Sequence, residues 1–237
     1  MKKAARQLEA ELLDELPASA PEAIHSRGDL RRINALMGNA RWLASTAKEL
    51  KVPAPKTILE LASGDGVQLL RLLERTGWRP EQLILIDQQP VVTEETSKEL
   101  QQHCSALSIV AADVFAWLNA DDTPAVDLIT TNLFLHHFAD ERLRDLLGLI
   151  AAKAEAFIAC EPERSGFAYF STRLLGLIGC NQVTRHDAAI SVRAGFQGDE
   201  LARLWPKDVA WQVIERQRGL FSHCLGARKK TDQGTRA

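Results

Sequence analysis

From Thr57 onward the chain alternates two textures, short and nearly uninterrupted apolar runs, and longer stretches whose apolar residues recur every three or four positions. TILELA, QLILID, LSIVAAD, VDLITTNLFL and AFIACEP belong to the first kind and predict strands buried on both faces. VQLLRLLERTG, EETSKELQQHC and ERLRDLLGLIAAKA predict intervening helices, the first ending at Gly77. Strand and helix in regular alternation predict an α/β fold with a doubly wound, mostly parallel sheet. Arg164 to Gly195 breaks this rhythm, being mostly helical, and GDELARLW predicts one further helix. VAWQVIERQRG and LFSHCLGARKK then predict an antiparallel hairpin turning at Gly219, which brings the sheet to seven strands. Ahead of all this, residues 1–50 have helical spacing interrupted by Pro17 and Pro21. Asp29 is the expected N-cap of a helix whose Leu30, Ile33, Met37 and Trp42 share one face, and Pro53 and Pro55 close the region. The expected organisation is a helical extension or lid over residues 1–52, a Rossmann-like domain over 53–230 with a helical insertion at about 163–195, and a disordered polar tail at 231–237.

Composition narrows the partners. The 237 residues are 46% hydrophobic and 25% charged, an ordinary globular mixture. A formal charge of −2 disfavours an electrostatic grip on nucleic acid or an anionic membrane. No apolar run approaches the roughly 18–20 residues of a membrane span. Glu9, Glu11, Asp14 and Glu15 stand where a signal peptide would be apolar, so a cytoplasmic location is expected. Cys104, Cys160, Cys180 and Cys224 are scattered without C-x-x-C spacing; buried thiols, and no metal site, are expected.

The candidate chemistry falls where strands end. In ILELASGDGVQLL an apolar strand closes on Glu60, a turn follows through Ala62, Gly64, Asp65 and Gly66, and a helix begins. Such a turn lies at the carboxyl edge of a parallel sheet, where ligands bind. Leu69 occupies the place of the third glycine of G-x-G-x-x-G, so a nicotinamide dehydrogenase loses support, and no phosphate-binding G-x-x-x-x-G-K-[ST] is present. Asp87 ends QLILID about 20 residues further on, the spacing of a ribose-binding carboxylate. Asp113 closes the next strand and suits capping of VFAWL, a role compatible with contacting a ligand beside Val114. Asn132 ends the fourth strand, and His136 and His137 come next as candidate general bases.

In this order the residues resemble the class I S-adenosylmethionine-dependent methyltransferases. ELASGDG stands where that family has D/E-x-G-x-G-x-G, with Ala62 replacing the first glycine, and the terminal hairpin matches the family's sheet. The resemblance, over roughly Lys56 to Lys230, implies S-adenosyl-L-methionine as cofactor. It implies that Glu60 and the backbone of Ala62 and Gly64 hold the methionine portion, within the turn completed by Asp65 and Gly66. Asp87 would bind the ribose, Gln88 would pack beside the adenine, Asp113 and Val114 would meet the adenine, and Asn132 would lie near the sulfonium. Asn132-Leu133-Phe134-Leu135 departs from the Asn/Asp-Pro-Pro-aromatic segment of amino-group methylases, whereas LHH resembles bacterial small-molecule methyltransferases. His136 or His137 would be the base. His186, beside Asp187, is a second candidate, and Arg185 and Arg193 suit an acidic or enolate oxygen. The apolar stretch Phe167 to Ile178 and the N-terminal helix bearing Met37, Asn39, Arg41 and Trp42 are expected to cover the substrate; either would equally serve as a homodimer contact. The expected reaction is methyl transfer to oxygen or carbon of a hydrophobic small molecule, such as a phenolic, quinone-like or polyketide-derived ring, with no nucleic acid partner and no membrane insertion. A non-catalytic cofactor-binding scaffold and an RNA or protein methyltransferase are the alternatives.

Overall fold

The computed structural model describes residues 5–121, 123–207 and 210–230. The expected tail at 231–237 lies outside them. Seven strands form one sheet: β1 (Thr57–Leu61), β2 (Gln82–Asp87), β3 (Ala106–Ala111), β4 (Val126–Asn132), β5 (Ala154–Pro162), β6 (Trp211–Arg218) and β7 (Ser222–Lys229). Their order is β3-β2-β1-β4-β5-β7-β6. The first five are parallel, and β7 runs antiparallel to both β5 and β6. The chain winds outward from β1 to β3, then returns to place β4 on the other side of β1. This reversal opens a crevice above the carboxyl ends of β1 and β4.

Burial on both faces explains the unbroken apolar runs of β1, β2, β4 and β5; β3, expected to be buried likewise, lies at the sheet's edge and is exposed or half-buried throughout. Leu59, Leu61, Ile84, Ile86, Ile129 and Phe157 point to one side, onto α6 (Val114–Asn119) and α7 (Asp140–Lys153). Their neighbours Ile58, Leu83, Leu85, Leu128 and Ile158 point to the other, onto α3 (Asn39–Glu49), α4 (Val67–Thr76) and α5 (Glu94–Gln101). Successive side chains alternate between faces, so a strand with helices on both sides has no polar position to spare.

The N-terminal region does not behave as one extension. Besides α1 (Leu12–Glu15), its long helix is split by left-handed Gly38 into α2 (Pro21–Met37) and α3. Leu43 and Ala47 of α3 are core residues, and Thr46 and Leu50 pack so closely on β7 that a Cβ at Gly226 would come within 2.6 Å of each. Only α1 and α2 overlie the crevice. Asp29 is no N-cap: α2 starts earlier, at Pro21. Its buried carboxylate instead accepts the Asn181 amide (2.8 Å) and the Thr184 hydroxyl (2.9 Å), clamping the start of α9 (Gln182–Ala194).

The insertion holds α8 (Gly166–Thr172), a 3-10 turn at Leu175–Ile178, and α9. The helix expected at GDELARLW is a run of turns. The carboxylate of Glu215 of β6 accepts the amides of Leu201 (3.1 Å) and Ala202 (2.6 Å), tying these turns to the sheet. The other partner of Glu215 is His223, buried on β7, whose second ring nitrogen meets Glu163 at 2.8 Å. Burial alone would strip His223 of its proton, but hydrogen bonds to Glu163 and Glu215 outweigh it and raise its pKa to about 9. All four cysteines are free, with Cys104 half-buried and the other three buried.

Candidate active site

The turn after β1 is shaped by three residues with positive φ: Ala62 (52°), Gly64 (53°) and Gly66 (73°). Alanine at the first of these stands in a conformation that glycine adopts freely, which gives the physical sense of the substitution. The two glycines differ in purpose. A Cβ on Gly66 would lie 3.1 Å from Leu85 and 3.3 Å from Leu100, so Gly66 permits close packing of α4. A Cβ on Gly64 would meet nothing within 4 Å, because that backbone faces the crevice.

Asp87 fixes the same turn from the neighbouring strand. One carboxylate oxygen accepts the Gly64 amide (2.8 Å) and the other the Gln89 amide (2.8 Å). Asp113 accepts the Ala116 amide (2.9 Å) as N-cap of α6, and its second oxygen accepts from the Gln88 side chain (3.2 Å). Asn132 is bound by the side chain of Asn39 (2.9 Å) and donates to Asn34 (3.3 Å), which ties the end of β4 to the junction of α2 and α3. Arg31 of α2 pairs with Asp65, so the helix is anchored over the turn. These loops enclose a cleft of about 450 Å³. Of the ten residues expected at the cofactor, all but Gly66 line it. At its floor Glu60 is almost fully buried, and its Oε2 has no hydrogen-bond partner among the described residues. Burial, reinforced by the nearby Asp65 and Asp87, pushes its carboxyl well above the ordinary range.

Leu133, with φ 54°, swings the chain from β4 into a 3-10 turn at Leu135–His137. Glu161, completely buried near the end of β5, accepts the amides of Phe134 (3.0 Å), Leu135 (2.9 Å) and His136 (3.3 Å). It also meets His136 Nδ1 at 2.7 Å, while His136 Nε2 is 3.2 Å from Glu11. Burial opposes a charge on this imidazole, but the bonds to Glu11 and Glu161 outweigh it and raise its pKa to about 9. His136 therefore carries its proton at neutral pH and has no free ring nitrogen, which removes it as a base. His137 faces the cleft; burial and the charge of His136 lower its pKa. Nearby, burial and then the carboxylates of Glu11 and Asp187 raise Asp14 to about 6.

A second, apolar cavity of about 270 Å³ adjoins the cleft. Leu13, Leu30 and Leu133 line both spaces, and Ile33, Leu36 and Met37 continue the apolar wall. Met37 reaches it, as do Ala168, Ser171, Thr172 and Leu175 of the expected cover at Phe167 to Ile178, whereas the other side chains expected at the substrate do not. Arg41 is exposed over the Trp42 ring, and Trp42 packs against Gly38 and Gly219. Arg185 is exposed beside Gly176, and Arg193 pairs with Glu9 at 3.2 Å. His186 is exposed at the surface of α9, and Asp187 turns inward to cap α1 through the amides of Leu12 (2.9 Å) and Leu13 (3.0 Å). These five, Arg41, Trp42, Arg185, His186 and Arg193, line neither cavity, because their helices turn those positions away from the crevice. Conversely, Glu11, Asp14 and Glu161 enter the site without having been expected there. Their one signal in the sequence is acidic residues set inside apolar segments, ELLDE and IACEP.

Comparison with known proteins agrees with this geometry. A family model described as a methyltransferase domain matches residues 58–153. No curated protein matches by sequence. Among solved structures, the plantazolicin methyltransferase BpumL in complex with SAH superposes with a TM-score of 0.62 at 12% identity, covering 90% of this chain and 92% of its own. The methyltransferase domain of bacterial CtHen1 gives 0.57 at 15% identity, over 82% of this chain and 98% of that one. An O-methyltransferase family protein from Burkholderia thailandensis gives 0.54 at 18% identity, over 91% of this chain and 65% of that one. The strand order and the acid-and-glycine turn agree with the methyltransferase domain matched over residues 58–153, and the chain shares the fold of these solved methyltransferases.

Proposed function

We propose that the protein methylates an oxygen or carbon of a hydrophobic small molecule, a phenolic, quinone-like or polyketide-derived ring, held in the apolar cavity beside the cofactor cleft. The observation that carries this reading is the shared wall of Leu13, Leu30 and Leu133, which lets an apolar acceptor lie against whatever fills the cleft.

The residues present fit the family's cofactor. The buried, unpartnered Oε2 of Glu60 needs a cationic donor, and the amino group of a methionine moiety provides one. The open backbone at Gly64 admits close approach of a ligand. All of Asp87, Gln88, Asp113, Val114 and Asn132 line the cleft, which supports a reading in which Asp87 would take the ribose hydroxyls, Gln88, Asp113 and Val114 would flank the adenine, and Asn132 would lie near the sulfonium. When bound, the cofactor supplies an electrophilic methyl group. The chain's own task is to place the acceptor in line with it, to exclude water with α1 and α2, and to draw the acceptor's proton toward His137, which faces the cleft beside Glu11.

Transfer of labelled methyl groups from S-adenosylmethionine to a panel of phenols and hydroxyquinones, alongside short RNAs and peptides, tests the assignment. Methylation confined to RNA or peptide would overturn it. Met37→Glu, which places a charge on the apolar wall alone, is expected to raise the acceptor KM by about tenfold or more, with cofactor affinity unchanged.

A further inference from the structure

Glu11 and the pair His136 and His137 come from opposite parts of the chain, yet converge where the cleft meets the apolar cavity. We propose that these three side chains bind a divalent transition-metal ion, of the zinc, cobalt or iron type, with open coordination positions facing the methyl acceptor. The inference deepens the small-molecule methyltransferase reading and rests on it only for what the ion does, which is to hold and polarise an oxygen-bearing acceptor.

Geometry comes first. Glu11 Oε1 lies 3.2 Å from His136 Nε2 and 4.0 Å from His137 Nε2, and one donor atom from each residue falls within 4.8 Å of the others. Two donors each about 2.1 Å from one tetrahedral ion stand roughly 3.4 Å apart, so a small rotation of His137 completes the set. Two imidazoles and one carboxylate are also the donor set that catalytic zinc and non-haem iron use when coordination positions are left for substrate.

The surroundings are those of a built site. Glu161 accepts from His136 Nδ1 at 2.7 Å and is itself immobilised by the backbone amides of Phe134, Leu135 and His136. A carboxylate there fixes the ring so that Nε2 points at Glu11, the arrangement that orients metal-bound histidines, and the ion would take the place of the Nε2 proton, releasing it to solvent. Asp14 stands 3.6 Å from His137 Nδ1 in the equivalent place, and the Ser191 hydroxyl holds Glu11. Four carboxylates, those of Glu11, Asp14, Glu161 and Asp187, surround two imidazoles. Arg6, the cation beside them, is engaged by the carbonyls of His136 and Phe138 and by Asp140. A plain ionic tether between Glu11 and the 3-10 turn would need His136 alone; it leaves unexplained why His137 also turns its Nε2 toward the same oxygen.

The test uses the full chain, stripped with a chelator and titrated with Co²⁺. One Co²⁺ per chain is expected, with visible ligand-field bands of a nitrogen- and oxygen-ligated ion, and Glu11→Gln and His137→Ala should each weaken binding by about tenfold or more. Circular dichroism checks that the variants are folded; should either fail, the stoichiometry and bands of the wild-type protein decide alone. Absence of a stoichiometric ion in the wild type, or unaltered binding in both folded variants, overturns the proposal. Calorimetry with S-adenosylmethionine separates the two readings. Cofactor binding without a Co²⁺ site removes the metal alone, and a Co²⁺ site without cofactor binding removes the methyltransferase reading.

Discussion

Glu60→Gln isolates the physics of the cleft floor. In the free protein the Glu60 carboxyl is buried, its Oε2 lacks a partner among the described residues, and burial with Asp65 and Asp87 nearby favours the neutral form. Glutamine keeps the shape and removes the charge. A hydrogen bond to a charged partner is worth about 1.5–3 kcal/mol, so the variant should bind S-adenosylmethionine about 10- to 150-fold more weakly. The free variant should be at least as stable as the wild type, because it no longer buries an ionisable group without a counter-charge. Proton linkage sets the pH dependence. A carboxyl whose pKa is raised by folding binds more protons native than unfolded, so it lowers stability as pH rises from its unfolded value of 4.5 toward its native one. Pairing with an ammonium group requires that proton to leave, so cofactor affinity should climb with pH over the same range. Calorimetry in buffers of different ionisation enthalpy would register the released proton in the wild type and its loss in Glu60→Gln. Equal affinity and equal buffer dependence in both proteins would refute the assignment of Glu60 to the cofactor's cationic end.

Asp87→Ala removes two 2.8 Å acceptors of the Gly64 and Gln89 amides; it should weaken cofactor binding by about tenfold or more and also cost about 1–3 kcal/mol of stability, measured by denaturant titration. A variant that loses affinity at full stability would show that the turn does not depend on these bonds. Gly66→Ala places a Cβ at φ 73°, 3.1 Å from Leu85, and should lower stability by about 1–2 kcal/mol; an unchanged unfolding midpoint would contradict the packing role. His223, held protonated to about pH 9 against 6.5 in the unfolded chain, contributes its full stabilisation below pH 6.5 and loses it as pH rises through about 9. The stability difference between wild type and His223→Gln should therefore shrink by up to about 3 kcal/mol across that interval, and a pH-independent difference would exclude a charged His223.

The sequence by itself determined whatever local pattern encodes. Five apolar runs become five parallel strands, four of them because helices cover both faces and admit no polar alternation, while edge strand β3 keeps its place with no residue fully buried. Residues at strand ends, Glu60, Asp87, Asp113 and Asn132, line one cleft because the fold sets all carboxyl ends along one edge. Tertiary structure decided the rest, wherever a contact joins distant segments. Glu11 reaches His136 across 125 positions, and Asp29 caps a helix that begins more than 150 positions later. Glu215 accepts the amides of Leu201 and Ala202 from a segment more than ten positions away. In each case a carboxylate satisfies backbone or side-chain groups of another element. No spacing along the chain records such a match, because it depends on how whole helices and strands come to lie side by side. The apolar cavity's wall obeys the same limit: Met37 lines it and Arg41 does not, since Gly38 breaks the helix between them and turns α3 into the core.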